Sequence, residues 1–232
     1  MEDVIKIVLW NSNSKKVNRV EQQFIRKNNP IYNIVDQYCF YSKNVYNQAN
    51  YIIRQEFINN GNKLSAYDVQ KLMQSMNCYK ECGSQAAQKT IQVVDKAWKS
   101  YFKAIKDWKK NPSKYLGIPQ LPKYLPKDGR QVFMLKNIQC SLKYGQFRIS
   151  FKPFGGYTVK THAVGKLMQC RFVPKVNYYV MEIVYEIEVA NDGRKINADV
   201  NGAYQIMKKV VPDVFDKGIE GVGSHPIRLE IA

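Results

Sequence analysis

Ser84-Gln-Ala-Ala-Gln-Lys-Thr-Ile-Gln-Val-Val-Asp-Lys-Ala-Trp-Lys-Ser-Tyr-Phe-Lys-Ala-Ile-Lys-Asp-Trp-Lys-Lys110 carries two helical periodicities at once. Ile91, Val94, Trp98, Tyr101, Phe102, Ile105 and Trp108 form one apolar stripe, while Lys96, Lys99, Lys103, Lys106 and Lys110 recur at spacings of three and four on another face. The pattern predicts a long amphipathic helix with its aromatic side in a core. A lysine stripe is ordinarily a solvated face. Here, however, like charges four residues apart repel along the helix, and from Lys89 to Lys127 there are ten lysines against only Asp95 and Asp107. A polyphosphate backbone relieves that repulsion, so Lys96, Lys99, Lys103, Lys106, Lys109 and Lys110 are candidate nucleic-acid contacts.

On the N-terminal side, Ser65-Ala-Tyr-Asp68 reads as a capping box with Asp in place of Glu, opening a helix through Met76. Val35, Tyr38, Cys39, Val45, Tyr46, Ala49, Ile52, Ile53 and Phe57 mark a longer helix from Asn33 to Asn59, stopped by Asn59-Asn-Gly-Asn62. Farther out, Asp3–Leu9 reads as a strand, Asn11–Ser14 as a turn, and Val17, Val20 and Phe24 as a short helix ending before Asn28-Asn-Pro30. On the C-terminal side, Pro112, Pro119, Pro122 and Pro126 make Asn111–Asp128 an extended connector, whose Lys114 and Lys123 join the candidate contacts. Short strands follow at Gln131–Ile138, Gln146–Phe151 and Tyr157–Lys160, with turns at Tyr144-Gly145 and Gly155-Gly156. A long strand, Asn177–Val189, alternates Tyr179, Met181, Ile183, Tyr185, Ile187 and Val189 with Glu182, Glu186 and Glu188. The acidic side reads as a solvated or lysine-paired stripe. Strand, helices and strands again suggest an α+β chain in which a β-barrel is interrupted by a helical insert.

With 232 residues and a 45% apolar fraction, the chain can bury a core. Its formal charge of +17 calls for a polyanionic partner, nucleic acid before membrane. The excess is local: residues 1–130 carry 22 basic and 10 acidic side chains, whereas 191–232 carry 6 of each. Five cysteines, odd in number and widely spaced, read as free thiols in a reducing compartment, and Cys78-x-x-x-Cys82 alone makes no zinc signature. No segment reaches 18 apolar residues and the start lacks a signal-peptide pattern, so the expectation is a cytoplasmic protein with no membrane partner.

The segment Ile196-Asn-Ala-Asp-Val-Asn-Gly-Ala-Tyr-Gln-Ile-Met-Lys-Lys-Val210 puts Asp199 on the turn entering another amphipathic helix, where an N-cap is its ordinary role. Asp199-Val-Asn-Gly-Ala203 also resembles the third RuvC motif of the TnpB proteins, transposon-encoded RNA-guided nucleases related to type V CRISPR effectors. Ala49–Phe57, Lys99–Trp108, Asn177–Val189, Gly218-Ile-Glu-Gly-Val and His225-Pro-Ile-Arg228 are similar to TnpB blocks in the family's order. The resemblance implies a wedge-type β-barrel with an inserted helical recognition lobe and a short remnant of a RuvC (RNase H-like) domain. The implied domains are 1–30 and 129–190 for the wedge, 31–128 for the recognition lobe with its basic connector, and 191–232 for the remnant.

One departure from the family pattern governs the functional expectation. TnpB follows a strand like Glu186-Ile-Glu-Val189 with a carboxylate-bearing strand, a glutamate and a zinc insert before its final aspartate; here Ala190-Asn-Asp-Gly-Arg-Lys195 leads to Asp199 at once. Metal-assisted phosphodiester cleavage needs carboxylates from several elements converging on magnesium, and one aspartate cannot supply them. Asp192, in an Asn-Asp-Gly turn, is no substitute. The expectation is therefore a nuclease-dead, prokaryotic, nucleoid-associated repressor with no catalytic residue and no protein-bound metal. It would require a guide RNA and bind target double-stranded DNA through it. The resemblance further implies that a short flanking DNA motif is read near Tyr67, Lys80, Gln85 and Gln88, glutamine being geometrically suited to adenine edges. Two alternatives stay open: an active endonuclease with replacement or partner-supplied ligands, and a guide-free basic RNA-binding protein or transposon remnant. The sequence fixes no oligomeric state.

Overall fold

A computed structural model describes residues 14–190 of the chain. They are mixed α and β: a strand, four helices, then six strands. The described residues fall into two units. The larger is residues 20–185; the smaller includes 14–19 and 186–190, and in it Lys16 Nζ lies 3.5 Å from Glu186 Oε1.

Four helices occupy the middle of the chain. α1 (Tyr32–Asn60) and α4 (Ser84–Lys110) are the long ones, with α2 (Ala66–Met73) and α3 (Asn77–Cys82) between them. α1 buries Val35, Cys39, Val45, Ala49 and Ile53 along the stripe expected from its sequence. It stops at Gly61, whose φ of 70° is a left-handed cap that a glycine adopts without a Cβ clash. The Ser65 capping box forms in full: Ser65 Oγ accepts from the Asp68 N–H at 3.3 Å, and Asp68 Oδ2 accepts from the Ser65 N–H at 3.0 Å. The helix it opens ends at Met73, not Met76, because the chain turns and restarts as α3. Gly83, at φ 81°, makes the sharp junction into α4, whose ends coincide with the expected ones.

The strands form two sheets. One has the order β1-β7-β6-β2, from β1 (Ser14–Ile25), β7 (Tyr179–Ala190), β6 (Lys166–Pro174) and β2 (Phe133–Lys136). The other is β3-β4-β5, from β3 (Cys140–Lys143), β4 (Gln146–Ile149) and β5 (Thr158–Lys160). The β2–β6, β3–β4 and β4–β5 pairs are antiparallel. Tyr144 and Gly145, at φ 51° and 70°, close the β3–β4 hairpin, as their dipeptide suggested. The sheets are open: no closed barrel is present among the described residues. The strand expected over Asp3–Leu9 and the RuvC remnant over 191–232, Asp199 included, lie outside them.

The short helix expected around Val17, Val20 and Phe24 is instead strand β1. In a strand those three do not share a face. Ile25 is fully buried and Glu21 and Gln23 partly so, while Val20 and Phe24 stand exposed on the other side. Pairing along β7 settles the conformation where an i, i+3, i+7 pattern of three apolar residues could not. Glu21 then anchors the loop after β5, accepting from Thr161 Oγ1 at 2.8 Å and the His162 N–H at 2.9 Å. Burial alone would raise its carboxyl pKa, but these hydrogen bonds bring it below the ordinary value.

One core serves helices and sheets together. Tyr38 of α1 packs on Phe133, Phe151 and Phe154, and Phe154 stacks on Phe172 of β6. A second aromatic knot joins Phe57 of α1 to Trp98, Tyr101 and Phe102 of α4, with centroids 5.3–6.4 Å apart. Each ring that is fully buried here, such as Phe133, Phe172 and Trp98, contributes roughly 1.5–3 kcal/mol, and the half-buried ones less. This packing fixes which side of α4 is left for solvent.

Candidate nucleic-acid interface

With Ile91, Val94 and Trp98 buried and Tyr101, Phe102, Ile105 and Trp108 half-buried, another face of α4 presents Lys96, Lys99, Lys103, Lys106 and Lys110, all exposed; Lys109, one turn after Ile105 on the apolar side, is exposed as well. From Lys96 to Lys110 the row extends on the order of 20 Å at the α-helical rise. Its members are not equivalent. Lys99 Nζ sits 2.7 Å from Asp95 Oδ2, one turn back, so part of its charge is already neutralised. Lys114 is likewise taken, 3.2 Å from Asp107 Oδ2.

The second pairing shapes the end of the face. Pro112–Lys114 is a single 3-10 turn that folds back after α4, and Tyr115 donates its hydroxyl to Asp107 Oδ2 at 2.7 Å. Those hydrogen bonds hold the Asp107 carboxyl below its ordinary pKa and raise the Tyr115 phenol above its own. Between the helix and the turn lies an open groove of about 530 Å³, lined by Ser100, Lys103, Ala104, Lys106, Asp107, Lys110, Lys114 and Tyr115. Four ammonium groups against one carboxylate give its lining a net positive charge.

The connector is more ordered than its prolines suggested. Apart from the 3-10 turn it has no regular structure, yet a polar row on α1 grips its backbone. Arg54 Nη2 and Asn50 Nδ2 donate to the Pro122 carbonyl at 2.6 and 3.0 Å, and Asn47 exchanges two hydrogen bonds of 2.9 Å with Leu125. Lys43 Nζ donates to the Lys127 carbonyl at 2.7 Å. Asn50 is buried and accepts from Trp98 Nε1 at 2.9 Å, linking connector, α1 and α4. A segment whose prolines have no N–H to give to a sheet is held by side-chain amides instead. Arg130, two residues past the connector, forks onto Asp36 at 2.9 and 2.8 Å, and Tyr179 of β7 donates to the same carboxylate at 2.5 Å. None of these polar partners stood out in the sequence; Lys43-x-x-x-Asn47-x-x-Asn50-x-x-x-Arg54 at helical spacing was the available signal.

The residues expected to read DNA are spread over three helices, α2, α3 and α4. Tyr67 is exposed on the first turn of α2, its ring under the Lys71 ammonium at 4.7 Å. Lys80 is exposed on α3. Gln88 is half-buried and its Oε1 accepts from Lys136 Nζ of β2 at 3.1 Å, which gives it a structural partner. Gln85, one turn earlier, has a buried Oε1 with no hydrogen-bond partner among the described residues. Lys123 of the connector is exposed.

On β7 the acidic stripe is paired. Glu182 accepts from Arg171 at 2.6 Å and from Gln22 at 3.0 Å, and Glu186 meets Lys16. No group of three or more His, Cys, Asp or Glu side chains converges to hold a metal ion among the described residues. All five cysteines are free thiols; Cys39, Cys82, Cys140 and Cys170 are buried and Cys78 is half-buried. No described helix is long and apolar enough to cross a membrane. No protein-family model matches this sequence, and no curated protein matches it.

Proposed function

We propose that this chain is a guide-RNA-binding protein that binds DNA through its guide without cutting it, a truncated relative of TnpB acting as a transcriptional repressor. The observation that carries the nucleic-acid part is the α4 face. Five exposed lysines, Lys96, Lys99, Lys103, Lys106 and Lys110, share one surface whose geometry is fixed by the aromatic packing behind it, and only Lys99 of the five is in an ion pair among the described residues. Such a row suits the regularly spaced phosphates of a polynucleotide and carries no base-reading groups of its own. In a guide-dependent protein base pairing would read the target. The family part rests on the resemblance of the ordered sequence blocks, and the lack of nuclease activity on the loss of the carboxylate-bearing segments between Val189 and Asp199.

The test is to purify the protein, sequence the RNA that comes with it, and challenge the complex with matching double-stranded DNA in magnesium. A discrete RNA with a variable end, and DNA bound but intact, are the expected results. Guide-dependent cleavage that disappears in Asp199→Ala would replace this reading by the endonuclease one. RNA of no defined sequence would replace it by guide-free RNA binding.

A further inference from the structure

We infer that the connector is a second nucleic-acid contact of a different kind, in which Tyr124 is a stacking platform for an unpaired base and Lys123 and Lys127 hold the phosphates beside it. The inference rests on the nucleic-acid reading of the chain but not on the α4 face.

Three observations carry it. Tyr124 is 40% exposed on a segment with no regular structure, where an aromatic ring would ordinarily be free to reorient. Here the backbone on both sides is clamped, at Pro122 by Asn50 and Arg54 and at Leu125 by Asn47. The Arg54 guanidinium, fixed by its own bond to the Pro122 carbonyl, lies over the Tyr124 ring at 4.6 Å. One residue therefore sets both the path of the chain and the tilt of the ring, so the exposed part of the ring is presented in a defined orientation. Lys123 and Lys127 flank it, both exposed and neither in an ion pair among the described residues. Aromatic rings interleaved with cations are the arrangement that binds single strands, because every base has a π-face.

The α4 face presents its rings differently. Trp98, Tyr101 and Phe102 are packed on one another and on Phe57, and the ring that lines the lysine groove, Tyr115, is half-buried with its hydroxyl tied to Asp107. The two surfaces thus divide the work: α4 takes a backbone irrespective of strandedness, and the connector prefers a strand whose bases are unpaired.

The experiment compares RNA-free protein binding to an oligouridylate of about 12 nucleotides, within the range of single-strand site sizes, and to a blunt RNA duplex of equal length. Tyr124→Ala should weaken binding of the oligouridylate about tenfold, the loss typical of one stacked base, with duplex binding unchanged. Tyr124→Phe should bind both like the native protein and melt with it; Tyr124→Ala also loses the ring's contact with Arg54 and should melt somewhat lower, so binding is compared at a temperature where circular dichroism shows all three folded. If Tyr124→Ala binds the oligouridylate as tightly as the native protein, or loses both ligands equally, the stacking assignment is wrong while nucleic-acid binding stands. If the native protein binds neither ligand, the nucleic-acid reading itself falls.

Discussion

Asp36 shows how much one carboxylate can organise. The forked Arg130 guanidinium holds its pKa below the ordinary value against the opposing effect of burial, and the Tyr179 hydroxyl helps. Tyr179 is in turn pushed up, first by burial and then by its bond to the charged carboxylate. Because the folded-state value of Asp36 is depressed, its contribution is fully present above the unfolded carboxylate value of about 3.9 and is lost as pH falls through the folded one. Asp36→Asn should lower stability by about 1–2 kcal/mol at neutral pH, a charged hydrogen-bond loss discounted for the partial exposure of the group. Urea titrations of both proteins should begin to converge as pH falls below about 4 and meet only below the depressed folded-state value. A gap that persists unchanged into acid would mean that the side chain acts through packing and not through charge. Neither partner of Asp36 could have been paired with it from the sequence, since Arg130 and Tyr179 come from distant segments.

At the scale of an element, α4 was legible almost entirely, because two periodicities over 27 residues leave one arrangement that buries the rings and wets the lysines. What the spacing could not reveal was which lysines are spoken for. Charge reversal at Lys99 would set a carboxylate beside Asp95 and destabilise the helix itself, so it cannot report on binding cleanly. Lys103, Lys106 and Lys110 line the groove and have no ion-pair partner among the described residues. Replacing these three by Gln should reduce the slope of log affinity against log salt by about 2 for a single-stranded RNA, three contacts at about 0.7 each. The far-ultraviolet circular dichroism should not change. An unaltered slope would remove the groove from the binding surface. β1 is the counterexample: with three apolar residues and no strong period, its conformation is decided by its partner strand, and a local reading had nothing to weigh that partner against. The connector fell between these cases, its extended path legible from prolines and its anchoring on α1 not.

Across the whole molecule, the alternation of strand, helices and strands was legible, while the two open sheets in place of a barrel were not, because sheet closure depends on pairings that β3 and β6 make and that no short-range signal encodes. The shared aromatic core has a further consequence, carried by the thiols. Burial raises Cys82 to about 12, and Cys39 and Cys170 are raised as well, each chiefly by desolvation. Since the thiolate is the species that reacts, the native protein near neutral pH should take up about one equivalent of a maleimide, at half-buried Cys78, and all five thiols should react once it is unfolded. The cysteines thus form an internal clock: Cys39 on α1, Cys82 on α3 and Cys170 on β6 can be modified only as often as their own surroundings open. If helices and sheets share one cooperative unit, mass spectrometry of the alkylated peptides should find those three labelled at a common rate. A Cys82 that reacts far ahead of Cys39 and Cys170 would show that α3 opens alone, and would place a hinge beside Gly83 at the head of the lysine-bearing helix.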